Sequence, residues 1–214
     1  MRLRRNEVVF GGEFWSPSDL VTRARDQQEA ANSADQARCE NLFKPTVSLE
    51  VRWKAPIMGT LKANWDAAVD KGGGKIGVSV VVRDFTGECV AALACDLPMI
   101  MEPNCAEAYG LWKLAEFCAG EGYHQFEVEG DALEIIQALR ADSTCRSSYG
   151  HLVEGAKLLL NMADQWKATH VRRSRNTATH SLAQFALHCN VQQSWYLECP
   201  TCIQEIVLVE QEFL

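Results

Sequence analysis

The sequence predicts an α/β domain on a five-stranded mixed sheet, in the order βββαβααβα, with helices on both faces. Three observations carry this expectation. Three β-type runs follow one another between residues 61 and 95, separated by glycine-bearing turns. Helix-type segments and short β-type runs then alternate up to residue 189. With 214 residues and a hydrophobic share of 47%, the chain can bury a sizeable core without metal or disulfide support.

Residues 1–50 read as a polar extension or linker. Large apolar residues are scarce after Trp15. Ser16-Pro17-Ser18-Asp19 offers a helix start, and Leu20–Cys39 holds good helix formers that are polar nearly all round. The domain is expected over residues 51–191. Leu61, Ala63, Trp65 and Ala67 alternate with Lys62, Asn64, Asp66 and Ala68, a strand with Asp66 near its C-terminal end. Gly72-Gly73-Gly74 breaks it. Ile76–Arg83 is β-branched and suits a central strand. Asp84-Phe85-Thr86-Gly87 is a turn, and Glu88–Cys95 returns as the third strand.

Pro103 suits the first turn of a helix that runs to about Ala119 and ends at Gly120 and Gly122. Gln125–Glu129 is the fourth strand. Asp131 opens a helix with Glu134 three residues on, the spacing of a capping box. Tyr149–Met162 is a helix, Trp166–Val171 the fifth strand and Asn176–Cys189 the closing helix. Residues 192–214 are left as a tail, with an apolar run at Ile206–Val209 that packs on the domain or forms an interface.

The net charge of −7 excludes a global basic field, so nucleic-acid binding would need a local patch. Met1–Phe14 has arginines but no apolar core of a secretory signal, and no apolar run approaches membrane-spanning length. The nine scattered cysteines read as reduced thiols, with Cys95 and Cys105 filling core. An intracellular setting, nuclear or cytoplasmic, is expected. Cys199-Pro200-Thr201-Cys202 lacks a second pair at zinc-ribbon spacing, although His188 and Cys189 lie near it in sequence.

Four side chains carry the chemistry. Glu107 shares the apolar stripe of its helix with Leu111, Leu114 and Cys118. It needs a partner, a metal or a shifted pKa, unless it reaches water at the stripe's edge. Asp131 is a helix cap or, following directly from a strand, a site residue. Asp66 is a strand carboxylate or a turn residue. His180 lies off the stripe of Ala178, Leu182, Phe185 and Cys189. Together, carboxylates from three separate elements suit Mg²⁺ or Mn²⁺. Arg172, Arg173 and Arg175 form the one dense basic cluster, either a phosphate contact or a solvated turn.

Asn64-Trp65-Asp66-Ala67-Ala68, Asn104-Cys105-Ala106-Glu107-Ala108, Glu129-Gly130-Asp131-Ala132 and Val171-x-Arg173-x-x-Asn176-x-x-x-His180-x-Leu182-Ala183 resemble, in order and spacing, the motifs of type I ribonuclease H domains. More narrowly, the chain resembles the plant reverse-transcriptase-like ribonuclease H family, which is related to domains of non-LTR retrotransposons. The resemblance covers about residues 55–190. It implies a ribonuclease H-like fold and hydrolysis of the RNA strand of RNA–DNA hybrids with two divalent metals. Carried over by motif, Asp66, Glu107 and Asp131 are metal ligands, His180 stands at the second metal, and Asn104 contacts the minor groove of the hybrid. Arg173 and Arg175 are expected to meet phosphates.

His180 departs from the family's active enzymes, which usually place a fourth carboxylate there; many plant members carry histidine. A neutral imidazole is a poor Mg²⁺ ligand and an acceptable Mn²⁺ ligand, which implies activity that is weak, Mn²⁺-preferring or absent. The alternative is a catalytically inactive nucleic-acid-binding or protein-interaction domain derived from a retroelement. A 3′–5′ exonuclease of the wider superfamily fits less well, given the glycine break after the first strand and the Asn104–Glu107 spacing.

Overall fold

A computed structural model describes residues 52–189 and 191–214 of the chain. The expected linker over residues 1–50 and its helix at Leu20–Cys39 lie outside the described residues. Strands β1 (Leu61–Asp70), β2 (Lys75–Arg83) and β3 (Cys89–Leu97) form an antiparallel meander. Gly74 and Gly87 adopt φ of 69° and 81°, the left-handed region that side chains disfavour, and so close its two turns. Asp84 braces the second turn by accepting hydrogen bonds from the Thr86 and Glu88 amides.

Helix α1 (Pro103–Gly120) follows, then β4 (Gln125–Gly130), α2 (Leu133–Arg140), α3 (Gly150–Leu160) and β5 (Gln165–His170). A short 3-10 turn, Arg173–Arg175, leads into α4 (Thr177–Ala186). Strands β1, β4 and β5 run parallel to one another.

The sheet has six strands, one more than the sequence predicts. Residues 192–214, expected as a tail, contribute β6 (Gln193–Tyr196) and α5 (Thr201–Gln211). The sheet order is β5-β4-β1-β2-β3-β6, with β6 antiparallel to the outer edge of β3. Four residues are too few to display an alternating pattern, so β6 leaves no periodic signal. Its identity comes from pairing: Trp195 lies opposite Ala92 and buries against Phe185 of α4.

The alternation along β2 divides the core. Val80 and Val82 face α1, α2 and α3, where Leu111, Leu114, Ile135, Ile136, Val153 and Leu160 complete one layer. Val81 faces α4 and α5, with Leu182, Phe185, Ile203 and Ile206. Helix α4 lies directly on β2: a side chain at Gly77 would strike the Ala183 carbonyl, and the Ser79 hydroxyl donates to the Thr179 carbonyl at 2.7 Å. Cys95 is core as expected, whereas Cys105 is only partly buried and sits 3.5 Å from the Ser148 hydroxyl. Among the described residues no helix is long and apolar enough to cross a membrane.

Helix α5 is tied down by a buried ion pair. Arg83 Nη1 of β2 donates to Glu210 Oε2 at 2.5 Å, and both side chains are at most 3% exposed. The guanidinium also lies 3.5 Å above the Trp53 ring. Glu210→Ala leaves Arg83 charged, buried and unpaired, a loss of about 3–5 kcal/mol. Calorimetry should therefore show a Tm lower by roughly 2–4 °C per kcal/mol. A change below about 1 kcal/mol would mean that α5 does not unfold with the sheet.

Candidate metal centre

Trp65 sets the site. It is fully buried on β1, and its ring fits against two residues that lack side chains. A Cβ at Gly130 of β4 would lie 2.5–2.7 Å from its ring carbons, and one at Gly110 of α1 would lie 2.9 Å from Cδ1. The indole N–H donates to the Glu107 carbonyl at 3.1 Å. Asp66 follows Trp65, Asp131 follows Gly130, and Glu107 carries the carbonyl that the indole holds. One side chain therefore gathers the backbone of all three acidic positions.

Strand register does the rest. In the parallel pair β1–β4, Asn64 lies opposite Glu129, so Asp66 and Asp131, each two residues further on, emerge at the same level. Because β1 continues to Asp70, Asp66 is mid-strand and not near the end as the sequence suggests. It stands where β4 pairing has ceased and only β2 still pairs, with Ser79 opposite. A strand that loses one neighbour there opens a cleft without losing its own extended geometry.

Asp131 does not cap α2. The cap position is Ala132, and no side chain bonds the helix end. The Asp131 carboxylate instead accepts from its own amide and from the Asn176 side chain. Glu134, expected to complete a capping box, accepts from Asn104 Nδ2 at 2.6 Å and so links α2 to the start of α1. The cap spacing is present, but the chain bends toward the site one residue before the helix begins.

The ligand oxygens of Asp66, Glu107 and Asp131 lie within 4.8 Å of one another, and Asp66 is buried. Glu107 Oε2 is buried with no hydrogen-bond partner. Burial and the charges of Asp66 and Asp131 push the Glu107 carboxyl well above its usual range, against the Ala67 amide that donates to it. Burial and the charge of Asp66 push Asp131 upward too, opposed by its amide, Arg173 and Asn176. Three oxygen donors, one of them orphaned, in mutual repulsion fit a hard divalent cation.

His180 comes to the same place from α4. Its Nδ1 lies 2.7 Å from Asp66 Oδ2, and Arg173 Nη2 lies against the ring, 2.7 Å from Nε2 and 3.2 Å from Nδ1. Arg173 and Arg175 sit on the 3-10 turn; Arg173 is exposed, and Arg175 Nε is buried without a partner. A cavity lined by His170, Val171, Arg172 and Arg175 adjoins them, and His170 Nε2 lies 3.2 Å from the Asp131 carbonyl. Asn104 is at the first turn of α1, engaged with Glu134.

Asn64 and Asn176 stand in the quoted motifs without a role of their own, yet both are buried and brace the site. Asn176 Nδ2 donates to the Trp65 carbonyl at 2.8 Å, and Asn64 Nδ2 donates to Asn176 Oδ1 at 3.2 Å. Asn64 Oδ1 in turn accepts from Trp53 Nε1 at 3.0 Å. Alternation does not tell whether the polar Asn64 of a strand faces inward, and Asn176, at the start of α4, has the signature of an ordinary helix cap.

Two outcomes follow from this geometry. Gly130→Ala forces a methyl group into the Trp65 ring, which should cost about 1–3 kcal/mol. It should also weaken Mn²⁺ binding in a calorimetric titration; unchanged affinity would uncouple the tryptophan from the carboxylates. For Glu107, the raised folded pKa means that its stabilising contribution is complete below the ordinary value of 4.5 and is lost as pH rises through the raised value. Metal-free Glu107→Gln should therefore melt above wild type at pH 7, with a flatter pH profile and no gain on adding Mn²⁺. A lower Tm across the whole pH range would contradict the electrostatic origin.

The reverse transcriptase-like family model matches residues 64–186, more than half of the chain. An Arabidopsis thaliana protein named "Putative ribonuclease H protein" is 23% identical over 190 residues, covering 84% of this chain and 30% of its own length. The chain thus spans less than a third of that curated relative. Among solved structures, RNase H1 of the halophilic archaeon Halobacterium salinarum is 27% identical with a TM-score of 0.56, covering 61% of this chain and 98% of its own. LC11-RNase H1, solved in complex with an RNA/DNA hybrid, shares the fold at 15% identity and a TM-score of 0.52, covering 58% of this chain and 94% of its own. A six-stranded sheet that gathers Asp66, Glu107 and Asp131 around Trp65 is what those matches describe from outside: the chain belongs to the reverse transcriptase-like family and has the ribonuclease H-like fold.

Proposed function

We propose that the protein is a divalent-metal-dependent endonuclease that hydrolyses the RNA strand of RNA–DNA hybrids. The observation that carries this reading is the buried, unpartnered Glu107 Oε2 within the three-carboxylate cluster. Leaving such an oxygen unsatisfied is unfavourable unless a cation completes it. The motif order along the chain and the hybrid bound by LC11-RNase H1 supply the substrate class.

Asp66, Glu107 and Asp131 would hold Mg²⁺ or Mn²⁺, as an all-oxygen set suits. When bound, such ions activate water and steady the leaving oxygen of a phosphodiester. The chain's own residues then position the rest. Asn176 aims the Asp131 carboxylate, and His180 holds one oxygen of Asp66. Arg173 and Arg175 meet backbone phosphates, which fixes register without reading sequence. Asn104, at the head of α1, exchanges its bond to Glu134 for the minor groove. With a net charge of −7, binding depends on this small basic cluster and weakens with added salt.

Turnover is slow, because an imidazole stands where a fourth carboxylate would strengthen cation binding. A labelled hybrid should be cut by wild type in Mg²⁺ or Mn²⁺, leaving 5′-phosphate and 3′-hydroxyl ends, and chelation should stop it. His180→Asp should cut faster. Asp131→Asn should lose several kcal/mol of transition-state stabilisation, on the order of 10²-fold or more in rate. Cleavage that survives Asp131→Asn would end the nuclease reading. Silence from wild type and His180→Asp alike would select the inactive binding domain.

A further inference from the structure

We propose that Cys89 and Cys199 are a reversible disulfide site: a small external disulfide oxidises the two neighbouring thiols together, which fastens the start of α5 to β3. Asp66 pairs with Ser79 across β1–β2, and Ser79 with Ala94 across β2–β3, whereas Cys89 pairs with Arg83 at the other end of the sheet. The inference therefore stands apart from the metal-dependent reading.

Strand pairing brings the two cysteines together. Cys89 is the first residue of β3, and Ala91 lies opposite Tyr196 of β6. One further bond, from the Leu197 amide to the Val90 carbonyl at 2.8 Å, extends that ladder. Leu197 then takes a φ of 55°, a left-handed conformation that leucine disfavours, and the chain turns there to bring Cys199 back beside Cys89. The Cys199 thiol hydrogen-bonds the Cys89 sulfur. Both residues are half-buried and, with Cys202, pack on the core layer of Trp195 and Ile203. A cleft of about 270 Å³, lined by Glu88, Leu197, Gln204 and Leu208 as well as both cysteines, gives a small disulfide access to them.

The two thiols play different parts. The bond from Cys199 pulls Cys89 below the usual thiol range against burial, with help from the Arg83 charge. The same bond, burial and the Cys89 charge push Cys199 upward. Cys89 is thus the attacking thiolate. Its sulfur attacks one sulfur of the external disulfide, forms a mixed disulfide and releases one thiolate. That thiolate takes the Cys199 proton, the Cys199 sulfur attacks Cys89 Sγ, and the second thiolate leaves and is protonated by solvent. Two protein thiols are oxidised, and one small disulfide is reduced to two thiols. The new bond closes a loop of about 110 residues and so constrains the unfolded chain. It holds the start of α5 as the Arg83–Glu210 pair holds its end.

The test is incubation of the full chain with oxidised glutathione, followed by peptide mapping without reductant and by thermal melting. Wild type should lose two hydrogens in mass, yield one cross-linked peptide joining Cys89 to Cys199, and melt roughly 5–15 °C higher. Dithiothreitol should reverse all three changes. Cys89→Ser and Cys199→Ser should each lose the cross-link and the Tm shift, while Cys202→Ser keeps both. Circular dichroism checks that each reduced variant is folded, and Cys89→Ala and Cys199→Ala stand in for a serine variant that is not. A cross-link within Cys199-Pro200-Thr201-Cys202, a lasting glutathione adduct on Cys89, or no reaction in wild type would each overturn the inference.

Discussion

The indole of Trp65 is the constraint on which the site depends. Its ring needs a flat slot, and the slot exists because Gly110 and Gly130 present no side chains to it. At these two points the backbones of helix α1 and strand β4 come against the ring itself. The acidic residues are then adjacent to the contact and not to one another in sequence. Packing of an apolar ring thus sets distances between charges that would otherwise repel. Burial first, and the neighbouring carboxylates second, raise Glu107 and Asp131 above their ordinary pKa, so the site disfavours three bare charges. Folding energy from the tryptophan layer holds it there.

A second layer of support lies on the opposite face of β1. Lys62 bridges Glu127 and Glu129 at 3.2 Å and 2.9 Å, and Lys167 adds to Glu127 at 2.6 Å. Lys62 and Lys167 hold Glu127 in its charged form despite partial burial. Asn64 joins this network to Asn176 and so to Asp131. The face of the sheet that carries Asp66 is therefore polar along its length, from Lys62 through Asn64 to Asn176. Such networks favour one arrangement of strands over near alternatives, since a register slip strands several buried groups at once.

Much of this was legible in the chain. The meander followed from alternation at Leu61–Ala68 and from glycine turns, and helix α1 from Pro103 and Gly122. Glu107 was visible as a carboxylate on an apolar stripe. What was not legible has physical causes. Asp131 carries the local signature of a cap, yet the site claims its side chain, because hydrogen bonds from Asn176 and its own amide outweigh what a first helical turn offers. Asn64 and Asn176 look like ordinary polar residues until a fold places them 3.2 Å apart. Strand β6 has no pattern of its own and exists only because the β3 edge accepts it. Resemblance supplied the order of the four motifs; only the fold shows that His180 stands between Asp66 and Arg173.

Strand β6 matters for a reason unrelated to catalysis. Without it, β3 would present Ala91, Ala92, Leu93 and Ala94 with unpaired amides and carbonyls along a flat, uncharged edge. Such an edge is a template for other chains. Residues 193–196 are synthesised after the rest of the sheet, so the nascent domain passes through a stage in which that edge is open and Arg83 waits for Glu210. Between translation of β3 and arrival of β6 that edge has no partner strand, so the last residues of the sheet also close its exposed side.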